Sequence, residues 1–146
     1  MIEDSLLGLS AAGFHRIAYT DWGDPAAERV VVCVHGLTRN GRDFDWLAES
    51  LADRGARVVC PDIVGRGRSD WLANAAGYTD PQYLADLTAL IARLGVSEVS
   101  WVGTSMGGLL GMVLAAQPNT PIRRLVINDV GPFVPKDCAS YCTSFG

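Results

Sequence analysis

The sequence predicts an α/β fold, a mostly parallel sheet flanked by helices on both faces. Three observations carry this. From Val30 onward, short apolar, β-branched runs alternate with stretches of helical period, which implies parallel strands joined by right-handed crossovers. The run Val30-Val31-Val32-Cys33-Val34 is apolar at every position, as in strands buried on both faces. Finally, Gly55, Gly95 and Pro118 punctuate the chain where each intervening helix should stop.

Size and composition agree with one globular domain. The chain has 146 residues, 49% hydrophobic and 19% charged, enough for a real core and unlike a disordered segment. Net charge is −4 and no stretch is dense in Lys or Arg, so no nucleic-acid partner and no anionic membrane surface is expected. Met1-Ile2-Glu3-Asp4 lacks the basic start of a signal peptide. The longest apolar run, Leu109 to Ala116, is too short to span a bilayer. Of four cysteines, Cys33 and Cys60 fall in predicted buried strands and Cys138 and Cys142 in the tail. No CxxC or Cys/His cluster suggests a metal. A reducing, cytoplasmic compartment is the expectation.

In chain order, residues 5–20 read as two short strands around a turn at Ala12-Gly13, the second carried by Phe14 to Tyr19. Gly23-Asp24-Pro25 is a turn. After the Val30–Val34 strand, His35 to Gly41 form a loop. Asp43 is expected to cap a helix whose apolar face is Phe44, Leu47 and Leu51, with Gly55 ending it. Arg57 to Cys60 is a strand closed by Pro61, and Asp62 to Asp70 a glycine-punctuated loop. Thr79 or Asp80 caps a helix with Pro81 in its first turn and a stripe of Leu84, Leu87, Ile91 and Leu94. Val99 to Val102 is a strand, Leu109 to Gln117 a helix whose start is thinned by Gly107, Gly108 and Gly111, and Arg124 to Asn128 a last strand with Asp129 at its end. There is no internal repeat, low-complexity segment or linker.

Between that strand and helix stands Gly103-Thr104-Ser105-Met106-Gly107, a G-x-S-x-G run. Five-residue matches arise by chance in glycine-rich chains; the strand before and helix after are the context the motif requires. A serine on such a turn is held in a strained conformation with its hydroxyl standing proud, and glycines two residues to either side remove a collision. The Met106 N–H and the helix N-terminus then face whatever Ser105 attacks, which is half of an oxyanion hole.

Three motifs now follow three successive strands: His35-Gly36-Leu37, Asp62-Ile63-Val64-Gly65-Arg66-Gly67-Arg68-Ser69, and Gly103 to Gly107. Together they resemble the N-terminal half of the α/β-hydrolase fold family, over about residues 5–132. The first hairpin and Asn128-Asp129-Val130-Gly131-Pro132 extend the likeness. The resemblance implies that Ser105 is the nucleophile and that the backbone N–H groups of Leu37 and Met106 form the oxyanion hole. It implies acyl transfer on a small-molecule acyl substrate without a cofactor. A serine at this turn, rather than an aspartate, argues against the family's dehalogenase and epoxide-hydrolase branches. It favours ester, thioester, lactone, amide or C–C bond hydrolysis. Thr38, Arg39 and Asn40 would line the pocket mouth.

The sequence also departs from the family, whose base is a histidine late in the chain. Only His15 and His35 are present; the first falls on the hairpin, away from Ser105, and the second reads as a structural or pocket-wall residue. Asp129 could be the acid but is expected to cap its turn, and Asp62 to hold its loop. Ser69 and Asp70 read as loop-stabilising hydrogen-bond partners. Residues 136–146 have no amphipathic period. The expectation is therefore an α/β-hydrolase-like architecture lacking the last strands, the last helix and most of the cap. Residues 1–132 would be the N-terminal portion of the domain and 133–146 an aberrant or truncated tail. Weak or absent activity is expected, with self-association through an exposed sheet edge. The competing reading is a non-catalytic binding or interaction protein that keeps the sheet. Nucleotide binding is disfavoured: neither glycine-rich run is G-x-G-x-x-G, and no Lys follows as a P-loop needs.

Overall fold

A computed structural model describes residues 1–131; the expected tail 133–146, with Cys138 and Cys142, lies outside the described residues. Six strands form one sheet: β1 (Ile2–Ser10), β2 (Gly13–Trp22), β3 (Val30–Val34), β4 (Arg57–Pro61), β5 (Val99–Thr104) and β6 (Ile122–Asn128). Their spatial order is β1-β2-β4-β3-β5-β6. The β4-β3-β5-β6 portion is parallel, and the β1–β2 hairpin joins it antiparallel through β2 against β4. The mostly parallel sheet is as expected. The hairpin is longer than expected, since β1 already starts at Ile2.

The apolar run of β3 supplies both cores. Val32 and Val34 point into the larger one with Trp101, Leu87, Leu90 and Leu110, under α2 (Asp80–Leu94) and α3 (Met106–Ala115). Val31 and Cys33 point the other way, meeting Val58, Cys60, Phe44 and Ala48 under α1 (Asp45–Ala52). Period-two alternation with both faces covered is why every residue of this strand is apolar.

Two helix details correct the sequence reading. Asp43 does not cap α1: the residue before that helix is Phe44, with no side-chain capping bond, and the side-chain cap lies a turn earlier, where Asn40 (φ −148°, ψ 173°) accepts from the Arg42 N–H at 3.0 Å. Residues Gly41–Phe44 form a 3₁₀ turn ahead of the helix, and Asp43, already inside that turn, pairs with Arg39 at 2.7 and 2.8 Å. The tighter turn shifts the helical phase, so the buried face is Phe44, Ala48 and Leu51, while Leu47 is exposed. The second helix behaves as read: Thr79 caps it and Gly95 ends it in the left-handed region at φ 68°. Tyr83 and Leu90 join its buried stripe, with Leu84 only partly buried. The last helix starts at Met106 and ends at Ala115, short of Gln117.

The hairpin docks on α2 through a buried polar cluster. His15 Nε2 lies 3.0 Å from both carboxylate oxygens of Asp86. Gln82 Nε2 donates to Asp86 Oδ1 at 3.0 Å and to the Leu9 carbonyl at 3.1 Å. Burial pushes the Asp86 carboxyl up, opposed by the His15 hydrogen bond. Gly8, paired with His15 across the hairpin, leaves room for the cluster: a Cβ there would stand 2.4 Å from Asp86 Oδ1. Gly8→Ala should therefore lower unfolding stability by about 1–3 kcal/mol through overpacking, read as a lower urea midpoint. An unchanged midpoint would show that the hairpin shifts freely on α2.

Candidate active site

The site is built where β5 turns into α3. Ser105, between them, has φ 50° and ψ −115°, a region costly for a residue with a side chain, by about 1–3 kcal/mol. Its surroundings over-determine that conformation. The Ser105 N–H donates to the Asn128 carbonyl at 2.8 Å, tying the turn to the end of β6. The Ser105 carbonyl accepts from the Gly108 and Leu109 N–H groups at 2.9 and 3.1 Å. A Cβ on Gly103 would lie 2.3 Å from the Gly107 carbonyl oxygen, and one on Gly107 would lie 2.1 Å from that of Val34. The collision expected from side chains two residues either side of Ser105 is thus literal. Trp101 Nε1, fully buried, donates to the Gly107 carbonyl at 3.0 Å and fixes the first turn of α3 from below.

The His35-Gly36-Leu37 loop runs directly beside this turn: a Cβ on Gly36 would sit 3.5 Å from the Ser105 Cβ and 3.9 Å from the Arg39 Cγ. The loop is a tight turn, closed by the Arg39 N–H donating to the Gly36 carbonyl at 3.1 Å. Met106 is the first residue of α3, so its N–H has no intrahelical acceptor. The structure brings Ser105, Met106 and the Leu37 loop together at the C-terminal ends of β3 and β5.

It does not bring a histidine to them. His35 is wholly buried; the Ile63 N–H donates to its Nε2 at 3.0 Å, which leaves Nδ1 to donate to the Gly36 carbonyl at 2.7 Å. Both ring nitrogens are occupied, and burial lowers its pKa. His15 is held by Asp86 under the hairpin. Among the described residues, no side chain hydrogen-bonds the Ser105 hydroxyl.

The acids divide as follows. Asp62 holds two loops, accepting from the Gly41 N–H at 2.7 Å and the Arg68 N–H at 2.8 Å. Ser69 Oγ donates to the Asp62 carbonyl at 2.5 Å and accepts from the Ala18 N–H at 2.9 Å; Asp70 accepts from the Arg16 N–H at 2.7 Å. These are the structural roles expected. Asp129 differs: it stands at φ 60°, next to the Asn128 carbonyl that anchors Ser105. Its carboxylate accepts no hydrogen bond among the described residues, and the end of its expected turn, at Pro132, lies outside them. A contact that sequence reasoning missed is Arg66, whose Nε donates to the Leu37 carbonyl at 3.0 Å. Nothing local to Arg66 signals a partner 29 positions away. The described residues contain no group of three or more His, Cys, Asp or Glu able to hold a metal. None of their helices is long and apolar enough to cross a membrane.

His35 sets a pH dependence. Its folded pKa lies below its ordinary value, so below about pH 6.5 the unfolded chain takes a proton that the folded chain refuses. The stability it supports is present above that pH and lost as pH falls towards the folded value. His35→Gln should flatten the acid limb of stability below about pH 6.5 by up to one proton's slope, measured as urea midpoints at stepped pH. Parallel limbs would exclude His35 as the source.

A family model for the alpha/beta hydrolase fold matches residues 29–141. The 3-hydroxybutyrate-oligomer hydrolase of Cupriavidus necator is 62% identical over 124 residues, 85% of this chain and 42% of that protein. Lipase LipV of Mycobacterium tuberculosis is 35% identical over 105 residues, 72% of this chain and 38% of that protein. A solved alpha/beta hydrolase from Novosphingobium aromaticivorans superposes with a TM-score of 0.78 at 39% identity, over 98% of this chain and 50% of that one. The chain thus spans half or less of the length of these relatives. With most of its length matched by the family model, this chain belongs to the α/β-hydrolase fold family.

Proposed function

We propose that the chain carries the nucleophile and oxyanion hole of a serine hydrolase acting on carboxylic esters. Ser105 Oγ attacks the ester carbonyl and gives up its proton to a base. The oxyanion is held by the backbone N–H groups of Leu37 and Met106. The alcohol leaves with a proton, and water then releases the acid from the acyl-enzyme. The observation that carries this reading is the strained Ser105 beside the Gly36 loop: packing alone has no need of such a conformation. The relative named 3-hydroxybutyrate-oligomer hydrolase supports an ester of a short hydroxy acid as the substrate.

Both histidines are occupied elsewhere, and that favours a second reading, a binding protein without turnover. In the hydrolase reading the isolated chain is weakly active. Triad enzymes stripped of a triad member keep about 10³–10⁴-fold over water from the oxyanion hole and binding, and a rate of that order on p-nitrophenyl acetate is expected here. Ser105→Ala should return it to background. If the rate is unchanged in that variant, Ser105 is not the nucleophile and the binding reading stands.

The same proposal includes self-association. β6 is an edge strand of the described sheet, with Val126 and Ile127 exposed, and such edges pair with other chains. Sedimentation velocity should show concentration-dependent association; a monodisperse monomer across the concentration range would refute it.

A further inference from the structure

Arg66 lies in the loop between β4 and α2, and its guanidinium ties three separate segments together. Nε donates to the Leu37 carbonyl at 3.0 Å, and Nη1 donates to the Val64 carbonyl at 2.9 Å and to the Tyr83 hydroxyl at 3.0 Å. The guanidinium carbon sits 5.2 Å from the ring centre of Tyr83 and 5.7 Å from that of Tyr78. All of these partners are neutral oxygens or aromatic faces. The arginine is half-buried, clamped in one orientation, and directed at the loop that passes Ser105.

The geometry points to Arg66 as a positioning residue for the oxyanion hole, acting through the Leu37 carbonyl; this rests on the reading of the Leu37 N–H as an oxyanion donor. Leu37 is a central residue of the turn closed between Gly36 and Arg39. A two-residue turn leaves its middle peptide free to flip, because the closing hydrogen bond involves only the outer residues. Fixing the Leu37 carbonyl removes that freedom by holding the Leu37–Thr38 peptide; the Leu37 N–H belongs to the preceding Gly36–Leu37 peptide, whose carbonyl the Arg39 N–H holds, so the two bonds together fix both peptide planes that meet at Leu37. An oxyanion donor works only if preorganised, since reorientation during the reaction forfeits its stabilisation. A charged donor makes the stronger hydrogen bond, and Arg holds a rigid planar fork that Lys lacks. The Tyr83 and Tyr78 rings brace the guanidinium from the α2 side. Helix α2 thereby supports the oxyanion loop through Arg66.

The test uses the full chain and Arg66→Met, which keeps an apolar stem for the tyrosine rings and removes every donor. The first readout is the rate at which a fluorophosphonate probe labels Ser105, with imidazole supplied as an external base. The second is hydrogen exchange of the Arg39 amide, which closes the turn. Labelling of Arg66→Met should be about 10- to 100-fold slower, less than the loss of an oxyanion donor outright, and the Arg39 amide should exchange faster. Added guanidinium ion should restore part of the labelling rate, which a merely structural defect would not permit. Should Arg66→Met fail to fold, Arg66→Lys is read on the same two measurements, with intermediate effects expected. Unchanged exchange at Arg39, or slowed labelling that guanidinium does not rescue, overturns the assignment. If the unmodified chain is not labelled at all, the Ser105 reading fails by itself, and the exchange of the Arg39 amide, with and without guanidinium, still decides whether Arg66 holds the Leu37 turn.

Discussion

The contact on which the rest of the structure depends is the approach of the first turn of α3 to the end of β3. The Val34 carbonyl occupies the space where any side chain at position 107 would begin. Because the helix comes this close, β5 must turn within one residue, and that residue is Ser105. Because the turn is so sharp, Gly103 and Gly107 meet across it, and Trp101 can reach back beneath it to hold the Gly107 carbonyl. The close packing of the helix and the bonds around the turn are what hold Ser105 in its strained conformation.

The same approach orders the neighbouring loop. The chain leaves β3 at Val34, passes under the helix start, and continues as His35 and Gly36 alongside Ser105. His35 is drawn fully inside and its two nitrogens stitch this loop to the one after β4. A histidine so placed is a structural bracket in its neutral form. The Asp62 carboxylate does similar work a few residues away, and Arg66 reaches across from the same loop. The two loops that follow β3 and β4 are best regarded as one hydrogen-bonded unit.

What could be read beforehand follows from the range of the interactions. The parallel sheet was legible because burial on both faces writes itself into every residue of Val30–Val34, and the Ser105 turn because its constraints span only five residues. The phase of α1 was not legible: Asp43 and Asn40 are both good caps, and only the 3₁₀ turn places Leu47 outside. The Leu37 loop entered through family resemblance, not through its own residues. The His15–Asp86 pair spans 71 positions and the Arg66–Leu37 bond 29; each is a meeting of distant segments with no local pattern.

The division of the sheet into two unequal cores has a consequence for its dynamics. Cys33 and Cys60 lie together in the smaller core beneath α1, at 0% and 1% exposure. A hydrogen bond with Cys33, then burial, raises the pKa of Cys60, which keeps its thiol protonated and unreactive. Phe44 and Ala48 cover this pair from the α1 side, and β2 closes it beside Cys60, with Thr20 opposite that residue in the register. The two cysteines therefore report an opening of the smaller core, by α1 lifting or by the hairpin leaving β4, and are shielded from movements of α2 on the opposite face.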